Sequence, residues 1–235
     1  MKRNSPSLLP LLPAGIAAAL TAADVILSLF PRTVLSPMTH LLLLIPAALC
    51  IFAAGRLHAA HTDKDRRQSI MEFAWRIITA LLLWLLLCLT LFDQYFGRTG
   101  FSALFSLSGM EYMRALSRSV NWIPFSTIAE YVGYLTHPDT VGTAVVNLFG
   151  NLAAFASLGL LYPLSFPRLR RFLPCTAAAA CTVSAVEIAQ LLLLAGACDI
   201  DDLILNVLGV WAVFFFFRIP PIRRLTQRIA GVSLQ

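Results

Sequence analysis

The sequence is short of charge: only 13% of its 235 residues are Asp, Glu, Lys or Arg. A soluble domain of this length carries roughly a quarter charged residues to cover its surface, so a water-exposed globular fold is excluded. No stretch is polar enough to form a separate soluble domain. Cysteine is equally uninformative. The five residues include no C-x-x-C pair and no zinc spacing, and they form no disulfide framework. Cys50, Cys88, Cys175 and Cys181 lie inside apolar runs, where a thiol acts as a small hydrophobe. Cys198 falls near a predicted outer surface and has no evident partner. Also missing is any long soluble stretch in which aromatic and basic residues alternate, so the net charge of +6 does not point to nucleic acid.

What is abundant is apolar sequence, 58% of residues, with a mean hydropathy of +0.77. It comes in runs near the ~20 residues that cross ~30 Å of hydrocarbon. Six can be drawn, over 8–30, 38–56, 70–92, 141–163, 172–195 and 202–218. The expected fold class is therefore all-α, a polytopic transmembrane helix bundle of about six spans with short interfacial helices on the extracytoplasmic side. The expected organisation is an N-terminal helix pair over 1–65, a membrane domain over 66–218 and a basic cytoplasmic tail over 219–235. The first span also fits a signal peptide, with Lys2 and Arg3 before the run and Ala17–Ala19 after it. Asp24 and the unbroken run to Phe30 favour a retained helix.

Lys and Arg set the orientation. With both termini inside, the cytoplasmic segments hold Lys2, Arg3, Arg56, Lys64, Arg66, Arg67, Arg76, Arg168, Arg170, Arg171, Arg218, Arg223, Arg224 and Arg228, and the opposite side only Arg32, Arg98, Arg114 and Arg118. The connection 93–140 then lies outside. Within it, 110–120 reads as an amphipathic helix, with Glu111, Arg114 and Arg118 opposite Met110, Met113, Leu116 and Val120. Trp122 and Phe125 flank Pro124, as at a headgroup-level turn. Thr127 with Glu130 has the capping-box spacing for a short helix to about Leu135, which His137-Pro138 ends.

Polar side chains inside spans are costly, so their positions are informative. Asn147 and Asn151 share one face of the fourth span. Ser184, Glu187 and Gln190 share one face of the fifth. Asp199, Asp202 and Asn206 follow helical spacing into the sixth, from which Asp201 points elsewhere. The topology puts all three groups in the outer halves of their helices, so one cluster near the extracytoplasmic surface is expected. Each also has a plainer reading. Asp199 suits a helix N-cap with Asp202 at N3, and the asparagines suit interhelical hydrogen bonds. Glu187, some two to three turns inside a span, must be neutral, paired or open to a wet cavity. Its available partners are an Asn, a protonated carboxylate, Arg114 or Arg118, or a bound cation. Gly150, Gly159 and Gly209 are expected to mark close helix packing. His58 and His61 have ligand-like spacing but lie in a charged loop. His40 and His137 stand alone and carry no motif.

These residues resemble the VanZ-like family, named for an accessory protein of teicoplanin resistance. The matching strings are Asn121-Trp122-Ile123-Pro124-Phe125, Asn147-Leu148-Phe149-Gly150-Asn151 with Phe155 and Gly159, Ser184 through Glu187 to Gln190, and Asp199-Ile200-Asp201-Asp202 with Asn206 and Gly209. They cover roughly 70–218 and leave the first two spans as an added pair. Trp122 replaces the usual aliphatic residue, Cys198 stands where a bulky apolar residue is common, and Phe214–Phe217 give an aromatic end to the last helix. None of these departures removes an ionisable motif residue. The resemblance implies a bacterial cell-envelope protein of the plasma membrane, with some relatives lowering glycopeptide susceptibility.

Two functions follow as expectations. The first is a protein that binds or modulates an envelope lipid, an envelope precursor or a glycopeptide antibiotic at an outward polar pocket. Its ligand-binding candidates are Asn121, Asn147, Asn151, Ser184, Glu187, Gln190, Asp199, Asp202 and Asn206. The second is an intramembrane enzyme on a lipid-linked substrate. Its catalytic candidates are Glu187, Asp199 and Asp202, acting as an acid/base pair or holding a divalent cation such as Mg²⁺ or Ca²⁺. No other cofactor or metal site is implied. A transporter lacks visible half-helices or an inverted repeat, and a helix-packing scaffold is the residual reading.

Overall fold

A computed structural model of the chain describes residues 9–29, 35–92 and 107–234. Lys2, Arg3, Arg32, Arg98 and the 93–106 part of the long connection lie outside the described residues. The helices are α1 (Leu11–Leu29), α2 (Pro37–Ala60), α3 (Lys64–Leu87), α4 (Gly109–Arg118), α5 (Ser126–Tyr134), α6 (Val141–Ala154), α7 (Leu158–Ser165), α8 (Phe172–Leu192), α9 (Ile200–Phe216) and α10 (Pro220–Ala230). Five stretches are long and apolar enough to cross a membrane: Leu11–Ser28, Pro37–Ala60, Lys64–Leu91, Val141–Ser165 and Phe172–Leu192. A sixth, Ile200–Phe216, qualifies together with α10. The fold is an all-α polytopic bundle. The fourth span, which hydropathy presents as one continuous helix, is broken between Ala154 and Leu158.

The chain divides into two compact units. The first comprises residues up to Leu89, Leu161–Arg170 and Ile219–Gln235. Its helices start and stop where local chemistry dictates. The Ser36 hydroxyl accepts from the Thr39 amide with Pro37 at the first helical position, the preferred opening for α2. Small residues let the helices approach: Ala17 and Ala47 form a buried cluster with Leu44 and Leu81, and a Cβ on Gly55 would lie 2.9 Å from that of Ala74. Several buried polar groups are matched, although the buried Arg223 Nε has no acceptor among the described residues. Glu72 accepts from Gln68 at 2.8 Å and pairs with Arg170 at 2.5 Å. Thr79 and Ser165 share a hydroxyl–hydroxyl bond of 2.8 Å, and Arg76 donates to the Ser165 carbonyl. His40 does not stand alone, contrary to the sequence expectation. It is buried against Asp24, Nδ1 to Oδ1 at 2.8 Å, and Trp84 donates to the other Asp24 oxygen at 2.8 Å. Asp24 and His40 sit at matching depths of two consecutive antiparallel helices, which is why they meet.

The second unit comprises Thr90–Leu160 and Arg171–Arg218. Its α9 packs against α6, α8 and the start of α7. A Cβ on Gly209 would lie 1.8 Å from the Leu152 carbonyl oxygen, and one on Gly159 would lie 2.3 Å from that of Val210. The expected close packing holds at these two glycines. It fails at Gly150, which faces open space. Two short strands, β1 (Val120–Asn121) and β2 (Cys198–Asp199), pair in parallel, with Val120 opposite Cys198 and Asn121 opposite Asp199. This bridge brings the start of α9 beside the segment that leads into α5.

Candidate functional site

The site is built where β1, β2 and the first turn of α9 meet. Asp199 is the N-cap of α9, as expected, accepting the Asp201 amide at 2.8 Å. It also accepts the Thr127 hydroxyl at 2.6 Å and the Asn121 amide at 3.3 Å. Asn121 donates further to Ser126 and Thr127, at 2.8 and 2.9 Å, and accepts the Ile123 amide at 3.1 Å.

Asp201 overturns the expectation that it points elsewhere. It is 0% exposed, and its carboxylate accepts the backbone N–H groups of Phe125 (2.5 Å), Thr127 (2.8 Å) and Ile128 (3.1 Å). A helix leaves its first amides without partners. Here a carboxylate from a distant part of the chain supplies the cap of α5. The expected Thr127–Glu130 capping box is consequently not formed. The Thr127 hydroxyl is committed to Asp199, and Glu130 accepts the Tyr134 hydroxyl. A capping box does form between Ser108 and Glu111, where α4 opens. It holds the Glu111 carboxyl below its ordinary range, through the Ser108 side chain first and its amide second.

The second group of residues lies along α9 and its neighbours. Asn151 on α6 donates to Asp202 Oδ1. The Asn206 amide donates to the Asp202 carbonyl at 2.7 Å. Its Oδ1 is buried with no donor among the described residues, and the residue is 2% exposed. Glu187 on α8 is 7% exposed, and Gln190, one turn on, donates to the Thr90 carbonyl. Cys198 reports the convergence of the carboxylates. Burial raises its thiol, and the charges of Glu187, Asp199 and Asp202 raise it further. The Tyr131 hydroxyl on α5 is raised the same way, by burial and then by Asp202, Glu130 and Asp199.

Two candidates are not drawn in by these bonds. Asn147 donates to Thr143 of its own helix, and Ser184 is half-buried on α8. The chemistry on offer is mainly acceptor chemistry. Asp199 and Asp201 are occupied in holding α5 and the preceding turn. The Asn206 carbonyl is a buried acceptor set to meet a hydroxyl, amino or amide donor.

Comparison with known proteins agrees with this arrangement of motifs. No curated protein and no solved structure matches the chain. The family model described as VanZ/LLP1 matches residues 77–221, more than half of the sequence, and contains the Asn121–Phe125 turn, both asparagines of α6, Glu187 and the Asp199–Asp202 string. The chain is a multi-pass membrane protein belonging to the VanZ/LLP1 family.

Proposed function

We propose that the second unit is an extracytoplasmic ligand-binding site, which takes the donor-rich head of an envelope lipid, a lipid-linked cell-wall precursor or a glycopeptide. One observation carries the reading: the Asn206 carbonyl, on the same helix face as Asp202, is buried with no donor among the described residues, and the charges of Glu187, Asp199 and Asp202 all bear on the nearby Cys198 thiol. Buried acceptors are normally matched, so a ligand bearing N–H or O–H groups fits. The Lys and Arg distribution supports an outward-facing site. Trp122, Ile123 and Phe125 are exposed on the turn that Asp201 holds, and they offer apolar contact to a lipid chain or an amphiphile. Binding is favoured over catalysis by what surrounds the acids. Cys198 is the thiol beside them, and a raised thiol is a poor nucleophile. His137 is exposed in the turn after α5.

The test uses the full chain in nanodiscs of defined phospholipid, titrated separately with teicoplanin and with a polyprenyl-linked cell-wall precursor. Saturable binding of one of them is expected, weakened about tenfold or more (about 1.4 kcal/mol) by Glu187→Gln and by Asp202→Asn, in protein that still elutes as a monodisperse species. Absence of saturable binding to both, or unchanged affinity in both variants, overturns the proposal. Release of a product from the precursor, abolished by Glu187→Gln, would replace it with an enzyme acting on a lipid-linked substrate.

A further inference from the structure

The first unit carries a second constellation, independent of the site just described. Asp24 on α1, His40 on α2 and Cys88, directly after α3, are all buried. A carboxylate oxygen, an imidazole nitrogen and the thiol sulfur lie within 4.8 Å of one another. We propose that these three residues form an intramembrane site for a thiophilic divalent cation of the Zn²⁺ class.

The donor set selects the metal. One thiolate, one imidazole and one carboxylate make a mixed S, N, O set that suits Zn²⁺, whereas Mg²⁺ and Ca²⁺ require oxygen ligands. Zinc bond lengths of about 2.0–2.3 Å place tetrahedral ligands about 3.3–3.8 Å apart. His40 Nδ1 and Asp24 Oδ1 stand 2.8 Å apart, and the three ligand atoms all lie within 4.8 Å of one another, close to that range. Side-chain rotation closes the set around an ion.

Electrostatics favours occupancy. Asp24 is 0% exposed, in a unit whose neighbouring core is Ala17, Leu44, Ala47 and Leu81. Charge in such surroundings is costly unless it is compensated. A carboxylate and a thiolate together balance a divalent cation, and a neutral imidazole adds nothing, so the loaded site carries no net charge. Uptake by the neutral imidazole releases the Cys88 thiol proton. Support from outside the ligand set is present as well. Trp84, one turn before Cys88 on the same face of α3, donates to Asp24 Oδ2 at 2.8 Å and fixes that carboxylate. The backbone changes to a π-turn at Cys88–Phe92, an irregularity that often marks functional positions in helices. Cys88 is 3% exposed, which closes it to a substrate and argues against use as a nucleophile.

The test is Co²⁺ titration of the purified full chain in detergent after chelator treatment. Alanine replaces Cys50, Cys175, Cys181 and Cys198, so that Cys88 is the sole thiol. The expected result is a near-ultraviolet thiolate-to-cobalt band with visible ligand-field bands, saturating at one cobalt per chain and displaced by Zn²⁺. His40→Gln and Asp24→Asn should each weaken uptake by about tenfold or more. Cys88→Ser, made in the otherwise natural chain and nearly isosteric, should lose both the metal and the rise in Tm that Zn²⁺ gives the natural protein. No thiolate band in the sole-thiol protein overturns the proposal. So does Zn²⁺ stoichiometry unchanged in folded Cys88→Ser and His40→Gln proteins, which would mean adventitious metal, with the Asp24–His40 pair serving only to join two helices.

Discussion

The Asp201 carboxylate receives the Phe125 amide at 2.5 Å across 76 residues of sequence, and Phe125 stands with a φ of 66°. A bulky residue in the left-handed region is strained by about 1–3 kcal/mol and persists only where surrounding contacts over-determine it. The Asp201 clamp supplies those contacts, through three amides on either side of the start of α5. Asp201→Ala should therefore destabilise the protein by about 3 kcal/mol or more, since three backbone donors lose a charged acceptor. Thermal unfolding in detergent measures it, and limited trypsin cleavage at Arg114 and Arg118 should accelerate in parallel. Unchanged stability would mean that the clamp is not what holds the turn.

Strain at the same turn gives a prediction of opposite sign. Asn tolerates the left-handed region better than Phe, and the Phe125 side chain is exposed. Phe125→Asn should raise the detergent-measured stability by about 1 kcal/mol, read as an increase in Tm.

Helix proximity makes a paired prediction. Gly209→Ala places a methyl group against the Leu152 carbonyl, where a Cβ would lie only 1.8 Å away, and should cost about 1–3 kcal/mol or prevent folding. Gly150→Ala, which adds its methyl group in open space on α6, should be neutral or slightly stabilising. Equal Tm values for the two variants would contradict the observed packing.

The Glu72–Arg170 pair in the first unit predicts non-additivity. Both side chains are nearly buried, so Arg170→Met alone leaves a buried charge and should cost about 3–5 kcal/mol. The double variant Glu72→Met, Arg170→Met should recover most of that loss. A double-mutant cycle with additive Tm changes would show that the two do not interact.

Cys198 offers a chemical reporter on the acidic cluster. Because burial and then Glu187, Asp199 and Asp202 raise its thiol, less thiolate is present at any given pH than in an ordinary cysteine. Asp202→Asn removes one raising charge, lowers the thiol and should speed iodoacetamide labelling at neutral pH by about two- to threefold. The pH at which labelling reaches half its maximal rate should move down with it. A rate that falls or stays constant would place Asp202 away from the thiol.

Much of this architecture is legible from hydropathy alone, because apolar runs of membrane length need little else to be recognised. Five of the six spans appear as helices that qualify independently, and Asp199 caps α9 as its position implies. The misses have a common physical origin. Helical periodicity places Asp201 off the polar face of α9, but in the first turn a side chain reaches backward to amides outside its own helix, where periodicity does not apply. The Thr127–Glu130 box fails for a related reason, since Thr127 has a better acceptor in Asp199. His40 has no partner close in sequence to signal its role. Its partner is readable only by depth: Asp24 lies five residues before the end of α1 and His40 three after the start of α2. The break after Ala154 carries no proline or charge, and nothing in the residues around Phe155 announces it.

The two acids that flank Ile200 share out separate tasks, one closing the end of a helix and the other gripping a turn far upstream in the chain. Because Asp202 follows on the same helical turn, a molecule held at the proposed site would sit one residue from the anchor of the turn that carries Trp122, Ile123 and Phe125. The expected consequence is that filling the proposed site shifts that exposed turn. With Trp75, Trp84 and Trp211 replaced by Phe, the fluorescence of Trp122 becomes a direct gauge of both.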